Sequence, residues 1–501
     1  MSDYRNFAKD LRMLCQELDQ TLIVYSGVEE AIEYSYKDTY KLIERYVAFF
    51  KKNGLKPGDT IATVLPNSPE AILAYFAADA YGLSYAPLPC TASEREYNNW
   101  NNLTKPSFYI VKKGILDFDL TVSNIEVETD GTFDWLPAEA PGFDLDDSLN
   151  PKVYLLTSGT TGTPKAMQID MNKLWSAGYA FASHYDIIAS GVRFWNYLPM
   201  SYLGGLYNLA MIPLCCKGSF VISEPFSGKT MLNFWNFVKK YEITAIWFVP
   251  SIVRGLLKIY SLVGSKYADL YKSIRVSFLG TAPIDNAVKE EFEASFGIHL
   301  YENFALSETT FLTAETASNI RFREQSSVGE CLPYVEIKLK PIEAVENTNE
   351  IWVKTPYLFD GYLDADGSLL LDVDEDGFFN SKDLGYYNED GQLVLAGRSR
   401  DIIKKGGLFV SLVEVENLVS GIDYVDEVTA VPIKHDFYGE AYVLCVIFKK
   451  QDDIDHQIET LRKFLTESIV PYKLPEKIVS MKEFPRTASG KIQKKEIAAN
   501  L

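Results

Sequence analysis

Residues 154–166 read YLLTSGTTGTPKA. An apolar run, 153–156, leads into seven consecutive Thr, Ser or Gly residues and then Pro164 and Lys165. The front of this stretch has the make-up of a buried strand. Gly159 and Gly162 end it, because a Gly/Thr/Ser cluster closed by proline continues neither strand nor helix. Glycines let a ligand approach the backbone closely. Successive N–H groups and hydroxyls can donate to phosphate oxygens, and Lys165 adds a positive charge. A merely flexible loop has the same composition, so the surrounding sequence has to decide between the two readings.

Outward from that loop, short β-branched or aromatic runs alternate with helical stretches. Residues 60–65 (TIATVL) read as a buried strand. A helix follows over 66–82, with Asn67 or Ser68 as its cap and Gly82 at its end. The pattern recurs at 245–249 into 251–260 and at 275–279 into 285–296, which predicts an α/β fold with parallel sheets covered on both faces. After about residue 328 the style changes to short alternating strands with turn signals (DADG, DEDG, NEDG), the signature of a small antiparallel, barrel-like unit. A further boundary falls near 397–400. We expect an N-terminal domain over 1–399, with α/β subdomains to about 327 and the barrel-like part over 328–399, followed by an α+β module over 400–501.

The chain has 501 residues and a formal net charge of −19. Residues 397–501 hold 16 Lys+Arg and 16 Asp+Glu, so the whole excess of negative charge lies in the first 396. A chain this acidic is disfavoured as a nucleic-acid or anionic-membrane binder. Its 47% hydrophobic and 23% charged residues are those of a globular protein. Six cysteines without CxxC spacing read as reduced thiols, and together with an N-terminus lacking a signal peptide they imply a cytoplasmic protein. The 23 uncharged residues 194–216 are long enough to span a bilayer. They contain Pro199, Gly204, Gly205 and Pro213, so they read as a buried strand, a turn and a core helix.

The string TSGTTGTPK resembles the phosphate-binding loop of the adenylate-forming superfamily, which includes acyl-CoA synthetases, peptide-synthetase adenylation domains and luciferases. Further stretches resemble that family in order along the chain: LKPGDTIATVLPNSPE (55–70), LGTAPI (279–284), YENFALSET (301–309), SVGECLPYVEI (327–337), NEIWVKTPYLFDGYLD (349–364), NSKDLG (380–385), GRSRDIIKKGG (397–407) and PRTASGKIQK (485–494). The pattern is most similar to stand-alone acyl-CoA synthetases. The resemblance implies a large N-terminal domain of two stacked α/β sheets plus a distorted β-barrel, with a small mobile C-terminal domain. It also implies a reaction in which a carboxylate attacks the α-phosphate of ATP, giving an acyl-adenylate and pyrophosphate, after which the acyl group passes to a thiol. The acceptor is CoA or a carrier-protein phosphopantetheine.

By the same resemblance, Thr157, Ser158, Gly159, Thr160, Thr161, Gly162 and Lys165 would hold the phosphates, and Glu308, beside Ser307, would bind Mg²⁺. Asp383 would take the ribose hydroxyls with Arg398 assisting. Phe304 would stack on adenine and Glu302 accept from its amino group. Lys491 would bridge the reacting carboxylate and α-phosphate. Arg400 would be the hinge about which the C-terminal module swings, carrying Lys491 out and Gly406 and Gly407 in against the pantetheine arm. Tyr202, Trp247, Gly280, Thr281 and Ala282 would line the acid pocket.

The sequence also departs from the family's pattern. Tyr202 stands where peptide-synthetase domains usually place an ammonium-binding Asp, which disfavours amino acids and favours a short, branched, hydroxylated or aromatic acid. Ala166 and Lys382 replace customary glycines, which is harmless if the backbone there is ordinary. Three alternatives stay open: an amino-acid adenylation enzyme loading a carrier protein, a catalytically silent nucleotide- or acyl-binding homologue, and a luciferase-like oxidase, which nothing in the sequence supports. Two decoys are weaker. Residues 371–383 have EF-hand-like acidic spacing without helical flanks, and 223–230 form a near-Walker string lacking its first glycine.

Overall fold

The computed structural model describes residues 4–146, 148–157, 165–263, 271–282, 284–342, 348–364, 366–450, 452–486 and 492–501, with the backbone alone for 157, 165, 229, 263 and 400. Two large sheets form the body. In the nine-stranded sheet, six neighbouring strands run parallel: Tyr301–Leu306, Val276–Leu279, Ala245–Phe248, Arg193–Asn196, Ser219–Ile222 and Thr21–Tyr25. Antiparallel strands close its edges. In the eight-stranded sheet, Thr60–Val64 lies between Ser84–Pro87 and Phe108–Lys112, all parallel. The alternating pattern predicts this layout because a strand buried on both faces must be apolar throughout.

Helix Pro69–Tyr81 is buried along nearly its whole surface, as expected of a helix apolar on every side. Ser68 caps it, its Oγ accepting from the Ala71 amide, and Gly82 ends it at φ +80°. Asn67, the other candidate cap, instead reaches across to residues 198–200: its Nδ2 donates to the Leu198 carbonyl at 2.9 Å, and its Oδ1 accepts from the Met200 amide at 3.0 Å.

That helix also carries Asp79, which is buried, with no partner at its Oδ1 among the described residues. Burial pushes its carboxyl up to about 8, the Asp170 charge adds to the rise, and the Ala8 amide opposes it. The native state therefore holds a proton that the unfolded chain gives up near pH 4. Stability is expected to fall as the pH rises from about 4 to about 8, by up to about 1.4 kcal/mol per unit from this group. Urea melts of the wild type and Asp79→Asn at pH 5 and 8 check it. Equal pH slopes in the two proteins would mean that Asp79 is already ionised in the fold.

The uncharged stretch 194–216 is buried, as expected, but its helix is not a regular one. Gly204–Met211 is π-helical and runs on into the α-helical Ile212–Cys215. Pro213 has no N–H for the Leu209 carbonyl, and the Asn196 side-chain amide takes that role at 3.2 Å while also donating to the Gly205 carbonyl at 2.9 Å.

Beyond residue 328, strands Glu336–Pro341, Asn349–Lys354, Phe379–Tyr387 and Leu393–Arg398 pair antiparallel in that linear order. Among the described residues no pairing closes them into a barrel. Strand Gly361–Leu363, which lies among them in sequence, leaves to pair with Lys165–Asp170 of the eight-stranded sheet. In the EF-hand-like stretch the carboxylates of Asp374 and Asp376 are taken by Lys340 and Lys338, each at 2.8 Å. The near-Walker string starts just past strand Ser219–Ile222 and runs into the five-residue helix Gly228–Leu232 capped by Ser227.

The last hundred residues form a separate layer, a five-stranded sheet packed by helices Leu412–Ser420 and Ile454–Ser468, with its own hydrophobic cluster around Val410, Val415, Leu444 and Leu461. No helix among the described residues is long and apolar enough to cross a membrane.

Candidate active site

The Gly/Thr loop is flanked by two strands that pair with each other. Strands Lys152–Thr157 and Lys165–Asp170 pair antiparallel from Lys152↔Asp170 up to Thr157↔Lys165, so the flanks of 158–164 are held side by side. Ser158, Gly159, Thr160, Thr161 and Gly162 lie outside the described residues, as do the side chains of Thr157 and Lys165. Ala166 is buried in a regular strand, so its replacement of glycine is harmless, as expected.

Glu308 stands in the tight turn between strands Tyr301–Leu306 and Thr310–Ala314, beside the half-buried Ser307. Its carboxylate is half-buried, with no Lys or Arg partner among the described residues. The hydroxyl of Tyr362 donates to its Oε1, and the Phe359 amide donates to its backbone carbonyl at 2.7 Å. Tyr362 in turn pairs with Met167, two residues past Lys165. This strap brings Glu308, carried by the nine-stranded sheet, alongside the hairpin of the eight-stranded sheet. A half-buried carboxylate with no cationic partner among the described residues, beside strand Lys165–Asp170, fits the donor set of a hard cation.

Asp383 and Arg398 face each other across neighbouring strands, with Arg398 Nε 2.8 Å from Asp383 Oδ1. Asp383 is buried and Arg398 half-exposed. The preceding residue corrects an expectation. Lys382 sits at φ +63°, in the left-handed region that favours glycine, so the backbone here is not ordinary. Its amide donates to Asn380 Oδ1 at 2.8 Å, which helps hold that conformation.

Of the candidate acid-pocket residues, Gly280, Thr281 and Ala282 follow the carboxyl end of strand Val276–Leu279 and Trp247 lies on the neighbouring parallel strand, at the end of the sheet where ligands bind in open α/β folds. A Cβ on Gly280 would lie 3.2 Å from Asn303 Oδ1 and 3.5 Å from Trp247 Nε1, so these groups adjoin. Thr281 adopts φ +79°, costly for a β-branched residue, and its Oγ1 is buried without a partner among the described residues. Asn303 Nδ2 and the Tyr202 hydroxyl are buried and partnerless in the same sense. Ala282 is half-buried beside them. The Trp247 ring packs against Phe278 and Phe311 at centroid distances of 4.7 and 5.3 Å, so it serves the core as well as edging the pocket. Burial pushes the Tyr202 phenol far up, so it stays neutral.

Glu302, expected to accept from adenine, has partners of its own. Lys289 Nζ lies 2.6 Å from its Oε2, and its amide donates to Glu315 Oε2 at 2.8 Å. Glu315 is fully buried and receives both Nε and Nη2 of Arg323 at 2.8 Å. Burial raises the Glu302 carboxyl to about 7, against the pull of Lys289. These contacts tie Glu302, and with it the strand that carries Asn303 and the buried Phe304, to Lys289 and Glu315. The sequence held one signal of this network, since Lys289 falls on the apolar stripe with Phe292 and Phe296. It held none for the Tyr362–Glu308 contact across 54 positions.

Residues 15–363 match the AMP-binding enzyme family, and residues 414–491 match the AMP-binding enzyme C-terminal domain. The chain belongs to the AMP-binding enzyme family. Among curated relatives, malonate–CoA ligase of Arabidopsis thaliana is 29% identical over 384 residues, a match spanning 72% of this chain but only 62% of that protein's length. Crotonobetaine/carnitine–CoA ligase of Salmonella arizonae is 25% identical, covering 96% of each chain. The crystal structure of ATP-bound MatB from Rhodopseudomonas palustris superposes with a TM-score of 0.86 at 21% identity, covering 99% of both chains. That similarity bears out the α/β fold with its smaller C-terminal domain.

In this AMP-binding enzyme the segment expected to be a hinge is a 3₁₀ turn, Ser399–Asp401, leading into the hairpin Ile402–Lys405 and Leu408–Ser411. Gly406 and Gly407 are its two turn residues at φ +58° and +90°, so the turn itself demands glycine at both. Lys491 lies outside the described residues, as does the side chain of Arg400.

Proposed function

We propose that this AMP-binding enzyme activates a carboxylic acid with ATP, releasing pyrophosphate, and passes the acyl group from the adenylate to the thiol of CoA. The observation that carries the reading is the strap. It sets a half-buried carboxylate, Glu308, with no Lys or Arg partner among the described residues, against the paired strands that flank a segment with the composition of a phosphate cradle. In this reading Glu308 holds Mg²⁺, and Asp383, oriented by Arg398, binds the ribose hydroxyls. The metal's part is to offset the charge of the phosphates. Lys491 meets the reacting carboxylate and α-phosphate, and residues 157–165 hold the departing phosphates. CoA is preferred over a carrier protein because curated relatives are named CoA ligases.

Pyrophosphate release against a panel of acids, malonate among them, with and without CoA, tests this directly. Glu308→Gln is expected to lose most of the Mg²⁺-stimulated release while keeping its melting temperature. Release at the wild-type rate in that variant would remove Glu308 from the site.

The pocket's donors set the substrate class: a neutral phenol, a threonine hydroxyl and an amide hydrogen bond to a polar substituent but do not neutralise an ammonium. An α-amino acid would bury its charge unpaired at a cost of several kcal/mol. Amino acids should therefore turn over at least ~100-fold more slowly than the best hydroxylated or aromatic acid. An α-amino acid that matches the best simple acid would overturn this reading of Tyr202.

A further inference from the structure

We infer that Tyr362 is a positioning residue for the metal, fixing the Glu308 carboxylate in the orientation that presents its second oxygen to Mg²⁺. The inference rests on the proposed role of Glu308 and names a residue for which neither the family motifs nor the sequence supplied a task. The Tyr362 hydroxyl donates to Glu308 Oε1. A neutral donor occupies one lone pair of one oxygen and leaves the carboxylate its charge, so the anion is oriented without being neutralised. A lysine in the same place would compete with the metal.

The tyrosine is itself held from three directions. Its backbone is in register with Met167, and Gly361 is in register with Gln168. The adjoining Asp360 receives Lys173 Nζ at 2.7 Å and Gln168 Nε2 at 3.2 Å, and its amide donates to the Gln168 carbonyl at 2.9 Å. The Phe359 ring packs edge-on against the Tyr362 ring at 4.9 Å between centroids, while the Phe359 amide binds the Glu308 carbonyl. Residues 359–362 thus clamp Glu308 by side chain and backbone together, and the clamp is fastened to the strand leaving the phosphate loop.

Carboxylates that hold metals are commonly oriented by such a partner, and losing it typically costs 10–100-fold in metal affinity. The decisive variant is Tyr362→Phe, which removes one oxygen atom and keeps the ring packed on Phe359. Titrating ATP by calorimetry over a series of Mg²⁺ concentrations reads the metal directly, with no turnover required. The Mg²⁺ concentration giving half-maximal enhancement of ATP binding should rise 10–100-fold, while ATP binding without metal and the melting temperature stay within error of wild type. Excess Mg²⁺ should restore kcat in Tyr362→Phe but not in Glu308→Gln. In the Glu308→Gln background, Tyr362→Phe should change the Mg²⁺ dependence no further.

The outcomes separate the two claims. If Glu308→Gln shifts the Mg²⁺ dependence and Tyr362→Phe does not, the positioning role is wrong and the metal assignment stands. If Glu308→Gln leaves the Mg²⁺ dependence unchanged, the metal assignment itself is wrong. A Tyr362→Phe that weakens metal-free ATP binding as much as Mg²⁺-ATP binding would reduce the hydroxyl to a structural part.

Discussion

Lys491→Ala is expected to slow adenylate formation about a hundredfold or more while leaving transfer from pre-formed adenylate to CoA nearly untouched. Two anions, the substrate carboxylate and the α-phosphate, must meet in that first step, and one cation placed between them acts on the transition state. A preorganised charge of this kind contributes ~3 kcal/mol, and each 1.4 kcal/mol is tenfold in rate. In the proposed two-step reaction the second step would use a different pose of the C-terminal module, from which that lysine is withdrawn. Arg400→Pro should show the converse, because a fixed φ in the turn Ser399–Asp401 opposes rearrangement and leaves the starting pose intact. Single-turnover kinetics of the two half-reactions in each variant supply the measurement. Equal slowing of both steps by Lys491→Ala, or normal transfer in Arg400→Pro, would end the two-pose account for this chain.

The second large effect is on stability. Glu315→Ala should cost 3–5 kcal/mol, because it strips Arg323 of its bidentate partner in a fully buried place and removes the acceptor for the Glu302 amide. Arg323 would keep Glu293 at 3.0 Å and the Leu300 carbonyl at 2.7 Å, too little for a charge that deep. Replacing both members, Glu315→Leu with Arg323→Met, should recover much of the loss, since an apolar pair of similar volume carries no unpaired charge. Denaturant unfolding of the three proteins gives the comparison. A single-variant loss under 1 kcal/mol would show that water reaches the network.

What the sequence made legible was whatever is local. Strand–helix alternation announces the parallel sheets, Gly82 marks the end of their helix, and the sequence narrows its cap to Asn67 or Ser68, of which Ser68 serves. What stayed hidden depends on partners far along the chain. Asn196 finds the carbonyl that Pro213 leaves unpaired, Tyr362 reaches Glu308 across 54 positions, and Lys289 finds Glu302 only once helix and strand have packed. The left-handed backbone of Lys382 and Thr281 is hidden for another reason: neither residue type advertises a conformation it pays to adopt. Alternation reveals strands but not which sheet each one joins: Gly361–Leu363, within the stretch read as barrel-like, pairs with the eight-stranded sheet.

The hydrophobic cluster around Val410 and Leu444 is distinct from the one that fills the two large sheets, and among the described residues the ion pair across to the body is the exposed Lys258–Asp426 at 3.3 Å. Such a pair is worth at most ~1 kcal/mol. Turning the last hundred residues against the rest would therefore leave both hydrophobic clusters whole. The expected rate is that of a domain reorientation, microseconds to milliseconds, rather than that of unfolding. The same economy leaves a mark on the bench: a protease given brief access should cut near residues 399–401 and release two fragments that each stay folded.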